Sequence, residues 1–378
     1  MRAATCWPSE RWWGSSVGSD RRLERQAAVV ALCEAEGLGG LVIQSLPNIR
    51  YLTGFTGSAG LCVVRREGTV LVTDFRYATQ APLESATVAR VEIDQVNVWD
   101  RLLRILGAGD SDPLGFEAHI ATVGDLERLA TGLKVRPQAT KGLVERPRMR
   151  KAPEEIAAIR AAVVLAEEAL TELVPTVKVG QNEFAVAAGL EGALRRRGSE
   201  WHPFPTIVAS GPRSALPHAR TSERVIAAGD FLMIDFGAQV DGYCSDITRT
   251  FIVGRAPDEK QRVVYEAVEE AARRAREGVR AGQTGREADA LARRPLTERG
   301  FGEAFGHSLG HGLGLEVHEA PRLSPTTEAV LPEGAVVTIE PGVYLPGWGG
   351  VRIEDDVVLG ADHAETLTGF PRPLTILG

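Results

Sequence analysis

The sequence predicts an α/β domain followed by an α+β domain that contains a pseudo-two-fold internal repeat. The length of 378 residues favours two domains, at roughly 150 residues each. Short β-branched runs alternate with helical stretches up to residue 145, which is typical of an α/β domain. In the second part, one pattern of residues returns after 102 positions, which indicates a duplicated unit.

These patterns divide the chain into four segments. Residues 1–20 carry three of the six tryptophans and are predicted to form a poorly ordered extension. Residues 21–145 form the first domain, and residues 146–153, which are basic and contain two prolines, form a linker. Residues 154–378 form the second domain, because the acidic residues that follow the linker suit the first turn of a new helix.

The first domain is expected to open with a helix and to contain several short strands. Residues 21–33 contain basic residues followed by an apolar run, a pattern that weakly resembles a signal peptide. Glu34 and Glu36 follow directly, however, and favour an amphipathic helix. Turn glycines separate the runs that predict strands, at 41–43, 61–64, 69–73 and 88–91.

Composition argues against several kinds of partner and location. With 43 basic and 50 acidic residues, the net charge is −7, so neither a nucleic acid nor an anionic membrane surface is expected as a partner. No apolar run reaches the length of about 18 residues that predicts a transmembrane helix. The four cysteines are far apart and lack Cys-x-x-Cys spacing, which predicts a reducing, cytoplasmic location.

The repeat in the second domain is visible in several short segments. Residues 177–181 (VKVGQ) recur as residues 279–283 (VRAGQ). Further matches at the same offset join 166–169 with 268–271 and 197–198 with 299–300. Each half is therefore expected to contain a helix, a glycine turn, a second helix and then strands. Pro295 falls inside the second copy's helix and predicts a kink or an early end there.

After its helices, each half presents two strands with acidic residues. Residues 231–234 (FLMI) form a buried-strand pattern that ends in Asp235, and Asp246 begins the return strand. An equivalent apolar run ends in Glu340, and Glu354 lies on the segment that returns. The separations of 11 and 14 residues are each compatible with two neighbouring antiparallel strands.

A pseudo-two-fold relation would place these four carboxylates around one point. An acid at the inner end of an apolar strand is costly unless positive charge meets it. Asp355 and Asp356, by contrast, fit the pattern of exposed turn acids. A pair of divalent cations is the natural neutraliser, and oxygen ligands with one imidazole favour Mn²⁺, with Co²⁺, Zn²⁺ or Fe²⁺ as alternatives.

The imidazole is predicted to come from His311, in a glycine-rich segment over residues 305–314 (FGHSLGHGLG). Glycines let the backbone pass close to a site, and this spacing differs from the dinucleotide-binding Gly-x-Gly-x-x-Gly. His307 lies four residues earlier, but the glycines argue against a helix that would carry both. A structural role is the default for a single histidine, and only the four acids favour His311 as a ligand.

These residues together resemble the pita-bread metallopeptidases, which include methionine aminopeptidase, prolidase and aminopeptidase P. The resemblance covers roughly 150–378 and fills all five ligand positions of the family: Asp235, Asp246, His311, Glu340 and Glu354. Residues 48–55 (NIRYLTGF) are similar to the creatinase-type N-terminal domain of prolidases, aminopeptidase P and creatinase. Because methionine aminopeptidases lack that domain, the resemblance implies a peptidase that takes peptides with proline in the second position.

The resemblance also implies two metal ions per chain, a homodimer and roles for individual residues. Three acids would bridge or contact both ions: Asp246, Glu340 and Glu354. Asp235 would bind one ion alone, and His311 only the other. Two histidines match the family's substrate-side positions: His218 and His318. Arg352 matches the arginine two residues before the last glutamate.

The chemistry expected at these positions is hydrolysis by activated water. A water between two cations loses a proton near neutral pH and becomes the nucleophile. Glu340 is predicted to take that proton and to pass it to the proline nitrogen, which otherwise leaves poorly from a tertiary amide. His218 or His318 would donate to the oxyanion, an effect of about 3 kcal/mol per donor, and Arg352 would hold Glu354 in place.

Candidates for the substrate pocket are less specific. His307 is one of them, and Arg322 either meets a substrate's C-terminal carboxylate or is an exposed loop arginine. Aromatic residues near strands often belong to the core, but four could line a pocket for the proline ring of a substrate: Trp201, Phe204, Tyr243 and Trp348.

Two other functions share this fold. One is a catalytically inactive relative that acts as a binding or chaperone module, and the other is a creatinase-like C–N hydrolase that needs no metal. The complete ligand set favours a metallo-exopeptidase over both. The sequence leaves open whether it prefers dipeptides or longer peptides.

Overall fold

The computed structural model of the protein describes residues 20–107 and 112–378. Of the predicted extension, residues 1–20, all but the last residue lie outside the described residues. The chain divides into two compact units between Pro147 and Arg148. Within the described part of the chain, no helix is both long enough and apolar enough to cross a lipid bilayer.

The first unit is built on a mixed sheet with the strand order β4-β3-β2-β1-β5-β6. Its strands are β1 Gly40–Ile43, β2 Leu61–Arg65, β3 Gly68–Asp74, β4 Arg90–Asp94, β5 Leu114–Glu117 and β6 Gln138–Thr140. The helices are α1 Arg21–Ala35, α2 Leu46–Thr53, α3 Gln80–Ser85, α4 Val98–Leu106 and α5 Val123–Gly132, and α6 Glu145–Arg148 follows at the unit boundary. Strand β1 pairs antiparallel with β2 and parallel with β5.

Most strand predictions for this unit are confirmed, since 41–43, 61–64 and 69–73 lie within β1, β2 and β3. The run at 88–91 is only partly in a strand, because the N–H groups of Val88 and Ala89 donate to the carbonyl oxygen of Ser85 and β4 begins afterwards. Helix α1 is the predicted amphipathic helix, with Val29 and Cys33 on its buried face.

The second unit contains two larger sheets, with strand orders β19-β11-β8-β7 and β13-β12-β14-β17-β18, and two two-stranded sheets, β10-β9 and β15-β16. Its helices are α7 Pro153–Leu173, α8 Glu183–Arg196, α9 Glu259–Gly278 and α10 Gly285–Glu298. The strands of the first half are β7 Ile207–Ser210, β8 Phe231–Phe236, β9 Gln239–Val240, β10 Tyr243–Cys244 and β11 Ile247–Val253. The later strands are β12 Gly310–Gly312, β13 Glu319–Leu323, β14 Val336–Ile339, β15 Gly342–Leu345, β16 Gly349–Arg352, β17 Asp355–Leu359, β18 Ala364–Thr366 and β19 Ile376–Leu377.

The internal repeat is present in the backbone of this unit. Gly180 and Gly282 lie 102 residues apart and adopt left-handed φ angles of 92° and 85°, which glycine adopts at little cost. Each donates its N–H to a carbonyl oxygen at 2.9 Å. The helices that follow, α8 and α10, begin with side-chain caps from Asn182 and Thr284. The two halves therefore start in the same way.

Helix α10 continues past Pro295 to Glu298, so the prediction of an early end is wrong. Helices α8 and α10 are each 14 residues long. Pro295 lies in the last turn, where the missing N–H removes one hydrogen bond, and its ring is buried. Packing at the end of the helix thus outweighs the local effect of the proline.

Strand pairing brings the predicted ligands to corresponding places. Strands β8 and β11 are antiparallel, with Asp235 opposite Thr248, and Asp246 directly precedes β11. In the second half, β14 pairs antiparallel with β17 rather than with β16, which pairs with β15. Glu340 directly follows β14 and Glu354 directly precedes β17, so both lie at the same end of that strand pair.

Candidate metal centre

Four carboxylates and one imidazole surround a cavity of about 570 Å³ in the second unit. Among its lining residues are Asp235, Asp246, His311, Glu340 and Glu354. The Nε2 atom of His311 lies 3.7 Å from an oxygen of Asp246 and 3.6 Å from an oxygen of Glu340. Ligand-type atoms of Asp246, His311 and Glu354 all lie within 4.8 Å of one another. The structure thus brings all five predicted ligands together.

The acids lie in a buried environment, and the positive charge around them is too small to balance theirs. Asp235 is 7% exposed, Asp246 5% and Glu354 2%. Within the described residues, the Oδ1 atoms of Asp235 and Asp246 are buried without a hydrogen-bond partner. Burial and the charge of Glu354 raise the pKa values of Asp246 and Glu340 well above their ordinary range. One guanidinium, from Arg352, cannot offset four carboxylates, and divalent cations fit this donor set.

The tautomer of His311 leaves one ring nitrogen available for a cation. Its Nδ1 atom lies 3.1 Å from the carbonyl oxygen of Gly312, which can only accept, so the proton is on Nδ1. The lone pair of Nε2 therefore points toward Asp246 and Glu340. Burial and the neighbouring His318 lower the pKa of His311 to about 4, so the ring is neutral at pH 7.

Arg352 links two of the candidate ligands. Its guanidinium contacts the carboxylate of Asp235 and donates from Nε to the Thr248 hydroxyl at 3.0 Å. That hydroxyl donates to Glu354 at 2.6 Å, whereas the Nε atom of Arg352 lies 4.0 Å from the same carboxylate. Sequence reasoning missed the role of Thr248. It could have been found, since Thr248 lies two residues after Asp246, and alternate residues of an extended chain point to the same side.

A second residue that sequence reasoning missed is Tyr344. Its hydroxyl accepts a hydrogen bond from Arg352 at 2.9 Å and donates to Nε2 of His307 at 2.9 Å, because the Nδ1 proton of His307 is used by the carbonyl oxygen of Ser308. Burial raises the pKa of Tyr344 to about 12 and lowers that of His307 to about 4. Both groups are therefore uncharged at pH 7.

The histidines and arginine predicted near the substrate also lie at this site. A neighbouring cavity of about 330 Å³ is lined by His218, His307, His318, Arg322 and Arg352, together with two ligand candidates and other residues. The rings of His311 and His318 are 4.3 Å apart, centre to centre. Burial lowers the pKa of His318. Arg322 is exposed on β13, where it pairs with His311 across the strands.

Of the four aromatic candidates, Phe204 lines the larger cavity. None of the other three is among the residues described along either cavity. Trp201 is 60% exposed and stacks on its neighbour His202. Tyr243 donates its hydroxyl to Glu155 at 2.8 Å, and Trp348 packs, partly buried, against the core with the ammonium of Lys260 4.2 Å from its ring centre. Partners far along the chain thus direct the rings of Tyr243 and Trp348 elsewhere.

The expectation that Asp355 and Asp356 are exposed turn acids is wrong, since both are fully buried. Asp355 accepts hydrogen bonds from three arginines and a threonine: Arg249, Arg276, Arg372 and Thr368. Asp356 accepts the backbone N–H of Asp246 at 3.1 Å. Both acids therefore support the site from within strand β17.

Comparison with known proteins identifies the class. Residues 157–361 match metallopeptidase family M24, and residues 25–150 match the creatinase/prolidase N-terminal domain. The chain is 38% identical over 354 residues to a Xaa-Pro dipeptidase of Pyrococcus furiosus, covering 93% of this chain and 99% of the relative. The chain therefore belongs to metallopeptidase family M24, a class that depends on divalent metals.

Solved structures agree with this assignment. A Xaa-Pro dipeptidase from Bacillus anthracis is 39% identical, with a TM-score of 0.91 over 94% of this chain and 100% of that one. An X-Pro aminopeptidase from Thermotoga maritima is 37% identical, with a TM-score of 0.86 over 93% and 99% of the two chains. The predicted fold class, a creatinase-like α/β domain and a pita-bread α+β domain with an internal repeat, is confirmed.

Without metal, the folded protein is expected to lose stability as the pH rises from about 7.5 to about 8.5. Burial and the charge of Asp235 raise the pKa of Glu354 from 4.5 to about 8, so the folded state holds a proton that the unfolded state has released. Stability then falls by up to about 1.4 kcal/mol per pH unit for each such proton. His307 and His311 oppose this trend only below about pH 7.5, because their pKa falls from 6.5 in the unfolded chain to about 4 in the folded protein.

Urea denaturation in the presence of a chelator, repeated across this pH range, measures the slope. Glu354→Gln is expected to flatten it, and added Mn²⁺ is expected to remove it in the wild type. A free energy of unfolding that rises with pH in the chelated protein would contradict the argument.

Proposed function

We propose that the chain is a dinuclear metal-dependent peptidase that hydrolyses the bond between an N-terminal residue and a following proline. The observation that carries the proposal is the set of five ligand-type side chains around one cavity. The names of similar proteins, Xaa-Pro dipeptidase and X-Pro aminopeptidase, support a substrate with proline in the second position.

Two divalent cations, preferably Mn²⁺, would be held by the five side chains: Asp235, Asp246, His311, Glu340 and Glu354. Two observations support this: the Oδ1 atoms of Asp235 and Asp246 are buried without a hydrogen-bond partner among the described residues, and the pKa values of Asp246 and Glu340 are raised. Bound cations would coordinate those oxygens and offset the repulsion between the carboxylates. When bound, such ions lower the pKa of a coordinated water to about 7 and thereby supply a nucleophile. A set of mostly oxygen ligands with one imidazole supports Mn²⁺ over softer ions.

Glu340 would accept a proton from the attacking water and deliver it to the proline nitrogen. Its position supports this role, since a carboxylate can accept and return a proton and Oε1 of Glu340 lies 3.6 Å from Nε2 of His311, among the candidate ligands. The bond to proline is a tertiary amide without an N–H, so the nitrogen must gain a proton as it leaves. Glu340 lines both cavities, one on each side of the candidate reaction centre.

His218 and His318 would donate hydrogen bonds to the oxyanion. Both line the two cavities, and the lowered pKa of His318 supports a neutral ring with an N–H to give. Each donor of this kind contributes about 3 kcal/mol to transition-state stabilisation. Arg352 would act behind the ligands, since it contacts Asp235 directly and Glu354 through Thr248.

The two cavities suggest which parts of a peptide each would take. The larger one is lined by Phe204, Pro205 and Ile207, which suits an apolar side chain. The smaller one contains Arg322 and histidines, which suits a carboxylate. Arg322 would therefore bind the C-terminal carboxylate of a Xaa-Pro dipeptide.

Elemental analysis and hydrolysis of Ala-Pro and Ala-Pro-Ala with Mn²⁺ test the proposed function. We expect two metal ions per chain and cleavage of at least one of the two peptides, with activity lost in chelator. Two bound metals without cleavage of any proline or methionine peptide would instead support a binding module. Undiminished hydrolysis after complete metal removal would support a creatinase-like C–N hydrolase.

Arg322→Ala is expected to raise KM for Ala-Pro by about 10- to 100-fold, the range for a lost hydrogen bond between charged groups. Ala-Pro-amide has no C-terminal charge and serves as the matched control, so its KM is expected to change little. Steady-state kinetics on the two substrates measure the difference. An equal loss on both would assign Arg322 to the fold instead.

A homodimer is also proposed, on the basis of the resemblance to this family. Light scattering on the purified protein measures it. A mass of one chain, 40.6 kDa, would contradict the proposal.

A further inference from the structure

The loop that carries His307 is anchored by an ion pair that lies outside the candidate metal centre. Asp289 and Arg293 lie one turn apart on helix α10, and Asp289 is 1% exposed. The guanidinium of Arg293 donates two hydrogen bonds, of 2.6 and 2.9 Å, to the carboxylate of Asp289. Neither residue is among those described along the two cavities of the site.

The pair forms hydrogen bonds with the backbone of every second residue of the loop, at positions 305, 307 and 309. Arg293 donates to the carbonyl oxygen of Phe305 at 2.8 Å and to that of His307 at 2.7 Å. Leu309 donates its backbone N–H to Asp289 at 3.0 Å. The guanidinium also lies 4.3 Å from the centre of the Phe305 ring. Residues 305–309 contain no helix or strand, so these contacts supply much of what fixes their conformation.

Two groups of the site depend on this loop. The rings of His307 and Phe305 pack in a T-shaped arrangement with their centres 5.0 Å apart, and Nε2 of His307 accepts a hydrogen bond from the hydroxyl of Tyr344. The carbonyl oxygen of Leu309 accepts the backbone N–H of Glu340 at 2.9 Å. A shift of the loop would therefore move His307 and Glu340 together.

The internal repeat shows that the equivalent helix of the first half forms without such a pair. The positions 102 residues upstream of Asp289 and Arg293 are Ala187 and Glu191, on helix α8. Helix α8 has the same length and capping position without an ion pair there. The pair is thus confined to the half that contains the glycine-rich loop.

We propose that Asp289 and Arg293 are positioning residues that fix the 305–309 loop, so that His307 and Glu340 meet the substrate in one geometry. This inference rests on the proposed peptidase function. It assigns no contact with substrate or metal to either residue, and the effect passes through the backbone of the loop.

The kinetic test compares Arg293→Gln with Arg286→Gln in the full-length, Mn²⁺-loaded enzyme. Arg286 lies on the same helix, is exposed and pairs with Glu328 at 3.0 Å, so it is the matched control. We expect Arg293→Gln to lower kcat/KM for Ala-Pro by about 10- to 100-fold, as for lost hydrogen bonds of a charged group, with most of the change in KM. Arg293→Lys keeps the charge but not the forked geometry and should recover only part of the loss.

Hydrogen exchange of the metal-free protein provides a readout independent of activity. Backbone amides of residues 305–310 are expected to exchange at least about 10-fold faster in Arg293→Gln than in wild type, while the rest of helix α10 stays protected. The control variant should exchange like wild type throughout.

Two results would overturn the inference. One is wild-type kinetics and exchange in Arg293→Gln, and the other is a loss of activity explained wholly by unfolded protein, with KM unchanged. If the wild type cleaves no Xaa-Pro peptide, the proposed function fails. Faster exchange confined to the loop would then still support its anchoring by the ion pair.

Discussion

Replacing Asp246 by alanine is expected to abolish metal retention and peptidase activity together. Asp246 is 5% exposed, its Oδ2 atom lies 3.7 Å from the ring of His311, and its Oδ1 atom has no hydrogen-bond partner within the described residues. It also belongs to the group, with His311 and Glu354, whose ligand atoms lie within 4.8 Å of one another. The substitution removes both carboxylate oxygens from this group, and in the proposed dinuclear centre both cations would then lose a ligand.

Elemental analysis after gel filtration, followed by an Ala-Pro assay with Mn²⁺, measures both losses. Asp362→Ala, at an exposed position of the same unit, is the matched control and should keep metal and activity. The metal-free Asp246→Ala protein should be at least as stable as metal-free wild type at pH 8, because it contains one buried carboxylate fewer. Full metal content with full activity would refute the role given to Asp246.

Glu340→Gln is expected to keep part of the metal and to lose turnover by about 10²- to 10⁴-fold, the range for a general base or acid. The amide has nearly the same shape, and the backbone N–H of Glu340 would still donate to Leu309. A glutamine oxygen can contact a cation but cannot accept and return a proton. The defect should therefore appear in kcat, with KM for Ala-Pro little changed.

Single-turnover kinetics with Mn²⁺ separate the chemical step from product release in this variant. The matched control is Glu333→Gln, at an exposed position shortly before strand β14, which should behave as wild type. A normal kcat in Glu340→Gln would mean that another group moves the proton. Complete loss of metal would instead make Glu340 essential as a ligand.

Local patterns in the sequence predict the candidate ligand set, and the structure places these residues around one cavity. A run of apolar residues that ends in Asp235 predicts a buried carboxylate, and the 102-residue repeat predicts a second such strand for Glu340. Both predictions depend only on neighbours in sequence and on the internal symmetry. The resemblance to the pita-bread family then supplied the order of the ligands, and family membership is confirmed.

The residues that surround the ligands could not be predicted from such local patterns. Asp355 follows Glu354 in a segment that also fits an exposed turn, yet it is buried because arginines from distant segments converge on it. Tyr243 and Trp348 fit a substrate pocket equally well by sequence, but each packs against a partner far along the chain. Contacts of this kind have no local signature.

Periodicity and internal similarity in the sequence are enough to predict the two-domain fold class, the repeat and the residue types that gather around the cavity. The polar groups that support these residues become visible only in the folded chain: Thr248 and Tyr344 beside Arg352, and the ion pair of Asp289 and Arg293 behind His307. A hydrogen bond requires atoms about 3 Å apart. Strand pairing and loop path set such distances between residues that lie far apart in the chain.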